Sequence, residues 1–200
     1  MQRFARLLWF IAVGITALGP ARRTLAASPA GQLLQAIRLE QQADSERVTI
    51  NVTQAAESDF WTIERARGRS HILSRRPDIK TELYLIDGTV YWRVNGGSWI
   101  KQPLMHPLAV PLKPAVLFTN QLTGVRAGPD EIVGGQAAKT YAGTISWVSG
   151  GRSCSGALSL AVSSATGLPA LLRVKGNCES RPMTISESFE FGPSIHIEAP

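Results

Sequence analysis

The three histidines are the first residues to test for chemistry, because imidazole is both a common metal ligand and a common acid or base. They are His71, His106 and His196. None of them stands in a spacing typical of a metal site. The sequence therefore predicts surface or core histidines, with no metal and no cofactor.

Nucleophilic and acid–base motifs are equally incomplete. The segment Gly151-Arg-Ser-Cys-Ser155 does not complete the Gly-x-Ser-x-Gly elbow of hydrolases. Glu64 and Glu82 are scattered single carboxylates that the sequence does not pair, and no phosphate-binding glycine loop precedes a helix. The expectation is a protein that is not an enzyme.

Arginines recur at alternate positions in Arg65, Arg67 and Arg69. The segment from Asp59 to Ser74 is typical of one long strand or a bent pair, and on one long strand these side chains would form a cationic ladder on a single face. Such a ladder is either simply solvated or attracts an anionic headgroup, a membrane surface or a protein partner. Both interpretations stay open at the level of sequence.

Cys154 and Cys178 are the only cysteines, and an even pair in an oxidising compartment indicates a disulfide. Ala165-Thr-Gly167 is typical of a hairpin loop, with Gly167 in the left-handed conformation. Pairing Ser164 with Leu168 then sets the two cysteines directly opposite each other. The same register predicts the apolar pairs Leu158–Val174, Leu160–Leu172 and Val162–Ala170. A redox-active pair is the alternative, although a Cys-x-x-Cys spacing is missing.

The N-terminus is typical of a secretory signal peptide, with Arg3 and Arg6 before an apolar run from Leu7 to Leu18. We expect cleavage near Ala26 or Ala27 and a periplasmic or secreted protein; an uncleaved anchor is the alternative. No cysteine follows the apolar run, so lipidation is not expected. Without residues 1–27, the chain has 17 basic and 15 acidic residues, and the net charge falls from +6 to +2. That near-balance argues against nucleic-acid binding.

Antiparallel hairpins dominate the remainder, residues 28–200. Between Glu82 and Lys101, Asp87-Gly88 and Asn95-Gly96 separate runs of β-branched and aromatic residues, which predicts a three-stranded meander. Its residues Val90, Trp92 and Val94 share one face. Ser28-Pro29 predicts the start of a helix that continues to about Ala43. Alternation also predicts strands at Met183–Phe191 and Ser194–Glu198.

Residues 102–125 form a different kind of segment, rich in proline and apolar side chains, with a single charge between Gln102 and Val125. It is too long for an ordinary loop and must cover an apolar surface. We interpret it as a lid, with a short helix at 115–122. The candidate ligand-binding residues of this groove and lid are Trp92, Val94, Leu104, Met105, Leu108, Leu117, Phe118 and Leu122.

The predicted fold is mainly β with few helices (α+β). It is a large curved antiparallel sheet, or incomplete β-barrel, of about 9–11 strands with helices and the lid over its concave face. About 173 residues after the signal peptide suit a single domain.

Several segments of the mature chain resemble one family. They are Trp61-Thr-Ile-Glu-Arg65, the Pro77-Asp78 turn, Glu82 to Arg93 with Gly97-Ser-Trp99, Glu131-Ile-Val-Gly-Gly135 with Tyr141, Thr166-Gly-Leu-Pro169, and Phe189 to Pro200. These strand and turn signatures resemble the periplasmic lipoprotein-carrier superfamily of LolA, LolB, RseB and the LppX and LprG lipoproteins. The resemblance implies an unclosed barrel of eleven strands that binds acyl chains beneath helices.

Two main functional hypotheses follow, beside the alternative of an enzyme whose site the sequence hides. The first is a soluble periplasmic carrier or binding protein for a lipid or an acylated lipoprotein, held between sheet and lid, with transient membrane contact. The second is an envelope regulatory or assembly module that grips a protein partner through the same groove, as RseB-like members imply.

Overall fold

The computed structural model describes residues 28–55, 57–104, 122–149 and 152–200. It confirms the predicted class: twelve strands form one open antiparallel sheet, and the described part of the chain has one helix, α1 (Pro29–Gln42). The strands are β1 (Ser45–Gln54), β2 (Glu57–Ala66), β3 (Arg69–Arg75), β4 (Lys80–Ile86), β5 (Thr89–Val94), β6 (Ile100–Pro103), β7 (Leu122–Ala127), β8 (Glu131–Val133), β9 (Gln136–Ser149), β10 (Arg152–Ser163), β11 (Pro169–Cys178) and β12 (Arg181–Phe191). Nothing helical in these ranges is long and apolar enough to cross a membrane.

The chain divides into two compact units. We call one the helical unit; it holds α1 and β7–β11. The other is the meander unit, Ala43–Leu108 with Met183–Pro200, which holds β1–β6 and nearly all of β12. That residues 28–200 act as a single domain stays a prediction.

In the helical unit, α1 begins as the sequence predicts. The backbone N–H of Gly31 donates to Ser28 Oγ over 3.1 Å, which satisfies one of the free donors of the first turn. The helix buries Leu33, Ala36 and Ile37. Tyr141 in β9 donates its hydroxyl to Gln32 Oε1 over 2.6 Å, so a hydrogen bond also fixes the helix on the strands.

The cysteine hairpin formed by β10 and β11 has the predicted register over most of its length. Cys154 is bonded to Cys178 directly opposite it, and Gly167 has a φ of +73°. The pairs Leu158–Val174 and Leu160–Leu172 are confirmed. The predicted pair Val162–Ala170 is wrong: Val162 lies opposite Pro169, because the register shifts by one residue after the pair Ala161–Leu171.

The meander unit orders its strands β6-β5-β4-β3-β2-β1-β12. Three of its hairpin turns, Arg67-Gly68, Asp87-Gly88 and Asn95-Gly96, have two consecutive residues with positive φ. This is the conformation that matches the twist of the flanking strands. The two turns predicted in the 82–101 meander are therefore confirmed.

The cationic ladder predicted for Arg65, Arg67 and Arg69 is wrong as a single face. The turn at Arg67-Gly68 ends β2 and starts β3, so that Ala66 lies opposite Arg69 and Arg65 opposite Ser70. Because neighbouring positions of a strand point to opposite faces, Arg65 and Arg69 lie on different faces of the sheet. Arg67 belongs to neither strand.

Both ends of the predicted lid segment belong to strands. Gln102 and Pro103 belong to β6, and the residues from Leu122 to Ala127 form β7, so Leu122 is not the end of a helix. Residues 105–121 lie outside the described part of the chain. The lid itself therefore stays a prediction.

The segment Ser194–Glu198 is not a strand. Ile195 and Ile197 alternate with exposed residues because they pack into a small core with Ala66 and Ile86, beside Tyr84 and Tyr91. A single buried face gives the same alternation in an irregular segment as in a strand.

Candidate functional site

One face of the meander unit carries a continuous row of apolar side chains. Residues directly opposite each other in antiparallel strands point to the same face, so the pairing register defines this row. We call it the apolar row: Phe189, Val48, Ile63, Ile72, Leu83, Trp92 and Ile100. Seven strands about 4.8 Å apart make the row roughly 29 Å long.

Burial decreases along the apolar row. Val48 is fully buried and Ile63 is 5% exposed, whereas Ile72, Leu83 and Trp92 are half-buried. Ile100, at the far end, is 46% exposed. The row therefore begins in the core and ends as accessible apolar surface.

A second row on the same face mixes polar and apolar groups. Trp61 lies opposite Ser74, which lies opposite Thr81. We call these three residues the donor row, since each has an N–H or O–H group. The indole Nε1 of Trp61 is buried and makes no hydrogen bond in the described part of the chain.

A buried ion pair flanks the apolar row on its other side. Arg65 Nε donates to Glu46 Oε1 over 2.7 Å, and the Glu46 side chain is fully buried. Arg65 is thus already paired with a carboxylate, which offsets the positive charge that an anionic headgroup would meet.

The opposite face of the meander unit carries a row of charged and aromatic side chains. We call it the charged row: Glu190, Arg47, Glu64, His71, Tyr84, Tyr91 and Lys101. Arg47 bridges Glu64 at 2.7 Å and Glu190 at 2.9 Å. The rings of His71 and Tyr84 stack with centroids 4.2 Å apart, and Lys101 Nζ lies 5.3 Å from the ring of Tyr91.

His71 contacts two carboxylates. Its Nδ1 is 2.8 Å from Glu64 Oε2, and its Nε2 is 3.2 Å from Glu82 Oε1. Arg93 donates to Glu82 from the other side, through Nη2 at 2.7 Å. Glu64 and Glu82, which the sequence leaves as unrelated single residues, are therefore partners of one histidine.

These contacts hold both carboxyl groups ionised. Burial alone would raise the pKa of Glu64, but hydrogen bonds from His71 and Arg47 outweigh it and lower the pKa below its usual value. Burial opposes the shift at Glu82 too, where hydrogen bonds from Arg93 and His71 lower the pKa. A carboxylate with a lowered pKa is a poor general acid, so this network is suited to holding strands together.

No group of three or more metal-binding side chains is placed to hold an ion within the described ranges. His196, the remaining described histidine, contacts Glu198 at 3.0 Å in the C-terminal segment.

The sequence-predicted groove residues are brought together only in part. Trp92 lies in the apolar row, and Val94 lies opposite Thr81 on the same face. Leu104 donates its backbone N–H to Gly88 O over 2.8 Å, whereas Leu122 lies opposite Ile145 in the helical unit. Met105, Leu108, Leu117 and Phe118 lie outside the described residues.

Two of the three predicted arginines share a pocket. Arg67 and Arg69 line a cavity of about 630 Å³ at the end of β2 and β3, together with Asp44 and Asp87. Arg69 Nη2 lies 3.2 Å from Asp87, so part of the positive charge is already neutralised. Arg65 is not among the lining residues.

Comparison with known proteins gives a likeness of fold. Neither the scan against protein-family models nor the search of curated proteins finds a match. Among solved structures, the lipoprotein LppX of Mycobacterium tuberculosis is similar with a TM-score of 0.60 at 10% identity, over 85% of this chain and 98% of that chain. LprF from Mycobacterium bovis is similar with a TM-score of 0.59 at 14% identity, over 86% and 96% respectively. A chain of the Pseudomonas aeruginosa MucA/MucB complex reaches a TM-score of 0.44 at 13% identity, over 83% and 58%. The protein therefore has the fold of LppX and LprF, and the resemblance predicted from its sequence is confirmed at the level of fold.

Proposed function

We propose that this LppX-like fold binds a lipid, or the acyl chain of a lipoprotein, along the apolar row. The observation that carries the proposal is the gradient of exposure in that row. Half-buried Ile72, Leu83 and Trp92 continue a buried core outward as one unbroken apolar track. A continuous, partly accessible apolar surface is typical of a binding site.

The energetics favour an aliphatic ligand. Each methylene that leaves water for an apolar surface contributes about 0.8 kcal/mol. A track roughly 29 Å long accommodates an extended chain of many methylenes across the strands. No charged side chain interrupts the row, because the buried pair Glu46–Arg65 lies to one side.

This proposal includes a ligand-binding role for the predicted lid residues, which are Leu104, Met105, Leu108, Leu117, Phe118 and Leu122. So is a periplasmic or secreted location after signal-peptide cleavage near Ala26 or Ala27. The bond between Cys154 and Cys178 supports an oxidising compartment, since such bonds persist there. The partners of the protein would be a lipid or an acylated lipoprotein, and the protein would contact a membrane transiently.

Ile72 and Leu73 provide a matched test. They are neighbours in β3, both half-buried, and point to opposite faces. We expect Ile72→Asn to weaken binding of a fluorescent anthroyloxy stearate probe at least fivefold, while Leu73→Asn leaves the affinity within twofold. Thermal unfolding of both variants controls for folding. Equal effects of the two variants, or a wild-type protein that neither binds the probe nor carries lipid in native mass spectrometry, would contradict the proposal.

A protein partner gripped by the same face is the competing function. It predicts that a partner from envelope extract binds the wild type and not Ile72→Asn, while the acyl probe fails to bind either. The two functions are therefore separated by the same pair of variants.

A further inference from the structure

Trp61 has a buried hydrogen-bond donor without an acceptor. Its Nε1 is inaccessible to water and unpaired within the described residues, although buried donors are nearly always paired because an unpaired one costs free energy. Trp61 lies on the face of the apolar row, two positions from Ile63 along β2. A ligand that follows the row passes two residue positions from this donor along β2, close enough for an acceptor on it to pair with the indole once the side chains around Nε1 adjust.

The neighbours of Trp61 indicate what kind of acceptor fits. Ser74 and Thr81 continue the donor row on β3 and β4, and both are half-buried. An indole N–H only donates, and the hydroxyls of Ser74 and Thr81 can donate as well as accept, so all three positions can serve a ligand group that only accepts hydrogen bonds. An ester carbonyl beside an aliphatic chain has this property, whereas a hydrocarbon or an ether-linked chain offers a weak acceptor or none.

We propose that the protein selects acyl esters over chemically matched ether lipids, and that Trp61 Nε1 is the specificity-determining donor to the ester carbonyl. This inference rests on the proposed function, because it assumes that an aliphatic chain occupies the apolar row. Beyond the proposed function, the inference specifies that the bound aliphatic chain is attached through an ester.

The test compares two lipids that differ only in the linkage. Dipalmitoyl phosphatidylcholine and its dihexadecyl ether analogue are each used to displace the anthroyloxy stearate probe from the purified protein. We expect the ester lipid to bind about fivefold more tightly, which corresponds to roughly 1 kcal/mol. Trp61→Phe should bind the two lipids with equal affinity, which should match the affinity of the wild type for the ether lipid.

Trp92→Phe is the matched control. Trp92 lies in the apolar row, so its replacement should lower the affinity for both lipids by the same factor and leave the ratio of the two affinities unchanged. If Trp61→Phe does not fold, the indole N–H proton resonances of the wild type decide instead. One of them should move downfield with the ester lipid and stay in place with the ether lipid.

The outcomes separate this inference from the proposed function. Equal binding of both lipids by the wild type, or an unchanged ratio in Trp61→Phe, overturns the role of Trp61 and leaves acyl binding standing. Failure of the wild type to bind the stearate probe at all overturns both.

Discussion

Glu64 makes the shorter of the two carboxylate contacts of His71, 2.8 Å between Oε2 and Nδ1. The two residues lie directly opposite each other in β2 and β3. Arg47 continues the contact on β1 and Tyr84 on β4. The polar face of the meander unit is thus tied across four strands while its other face presents the apolar row.

Acid should weaken this network. The pKa of Glu64 is lowered in the folded state, so the unfolded state binds a proton first as pH falls. The stabilisation is fully present above about pH 4.3, the unfolded value, and is lost as pH falls through the lower folded pKa. We expect the difference in free energy of unfolding between the wild type and Glu64→Gln to be largest at neutral pH and to shrink below pH 4.3.

Urea unfolding over this pH range measures the difference. Glu190→Gln is the control, because Glu190 is exposed and contacts the same Arg47. A gap between the wild type and Glu64→Gln that stays constant with pH would show that Glu64 does not titrate with a lowered pKa.

We expect Arg65 to contribute to the stability of the fold and not to a cationic binding surface. Replacing it with Met leaves the carboxylate of Glu46 buried without its ion-pair partner, which we expect to cost about 3 kcal/mol or more. Arg67→Ala changes an exposed turn residue and should stay within about 0.5 kcal/mol. Chemical denaturation checks both, and similar values for the two would contradict the placement of Arg65.

The disulfide should stabilise the cysteine hairpin. Cys154→Ser combined with Cys178→Ser removes a cross-link that closes 24 positions of chain, with an expected cost of about 3 kcal/mol. The measurement is urea unfolding of the double variant against oxidised wild type. Reduced wild type should match the double variant; a reduced protein as stable as the oxidised one would refute this prediction.

Ile197 should anchor the C-terminal segment. It is 2% exposed, so Ile197→Ala leaves a cavity and should cost about 2–4 kcal/mol in thermal or chemical unfolding. Ser194→Ala, at an exposed position of the same segment, should have little effect. If both variants unfold like the wild type, the segment does not pack as described.

The sequence predicts those parts of the fold that depend on local signals. Asp87-Gly88 and Asn95-Gly96 fix their turns because their residue types favour positive φ. The opposition of Cys154 and Cys178 follows from one loop and one register. Ser28 and Pro29 mark the start of α1 for the same reason, since capping involves only neighbouring residues.

Features that depend on how several strands pair are not predicted from the sequence. Arginine is unusual at positive φ, so Arg67-Gly68 is not recognised as a turn and the ladder is misassigned. The contact between His71 and Glu82 is diagonal across β3 and β4, which requires the register of a second hairpin. Had the turn at Arg67 been recognised, Glu64 would have been placed opposite His71. The register shift between the pairs Ala161–Leu171 and Val162–Pro169 does not follow from the hairpin loop either.

A paramagnetic fatty acid can show whether an acyl chain lies along the apolar row. With doxyl-labelled stearate added to methyl-labelled protein, we expect strong broadening of the methyl resonances of Ile63, Ile72 and Leu83. The methyl resonances of Ile195 and Ile197, which pack in the small core with Ala66, should stay sharp. Broadening that is absent, or equal for both groups of methyls, would contradict binding on the apolar row.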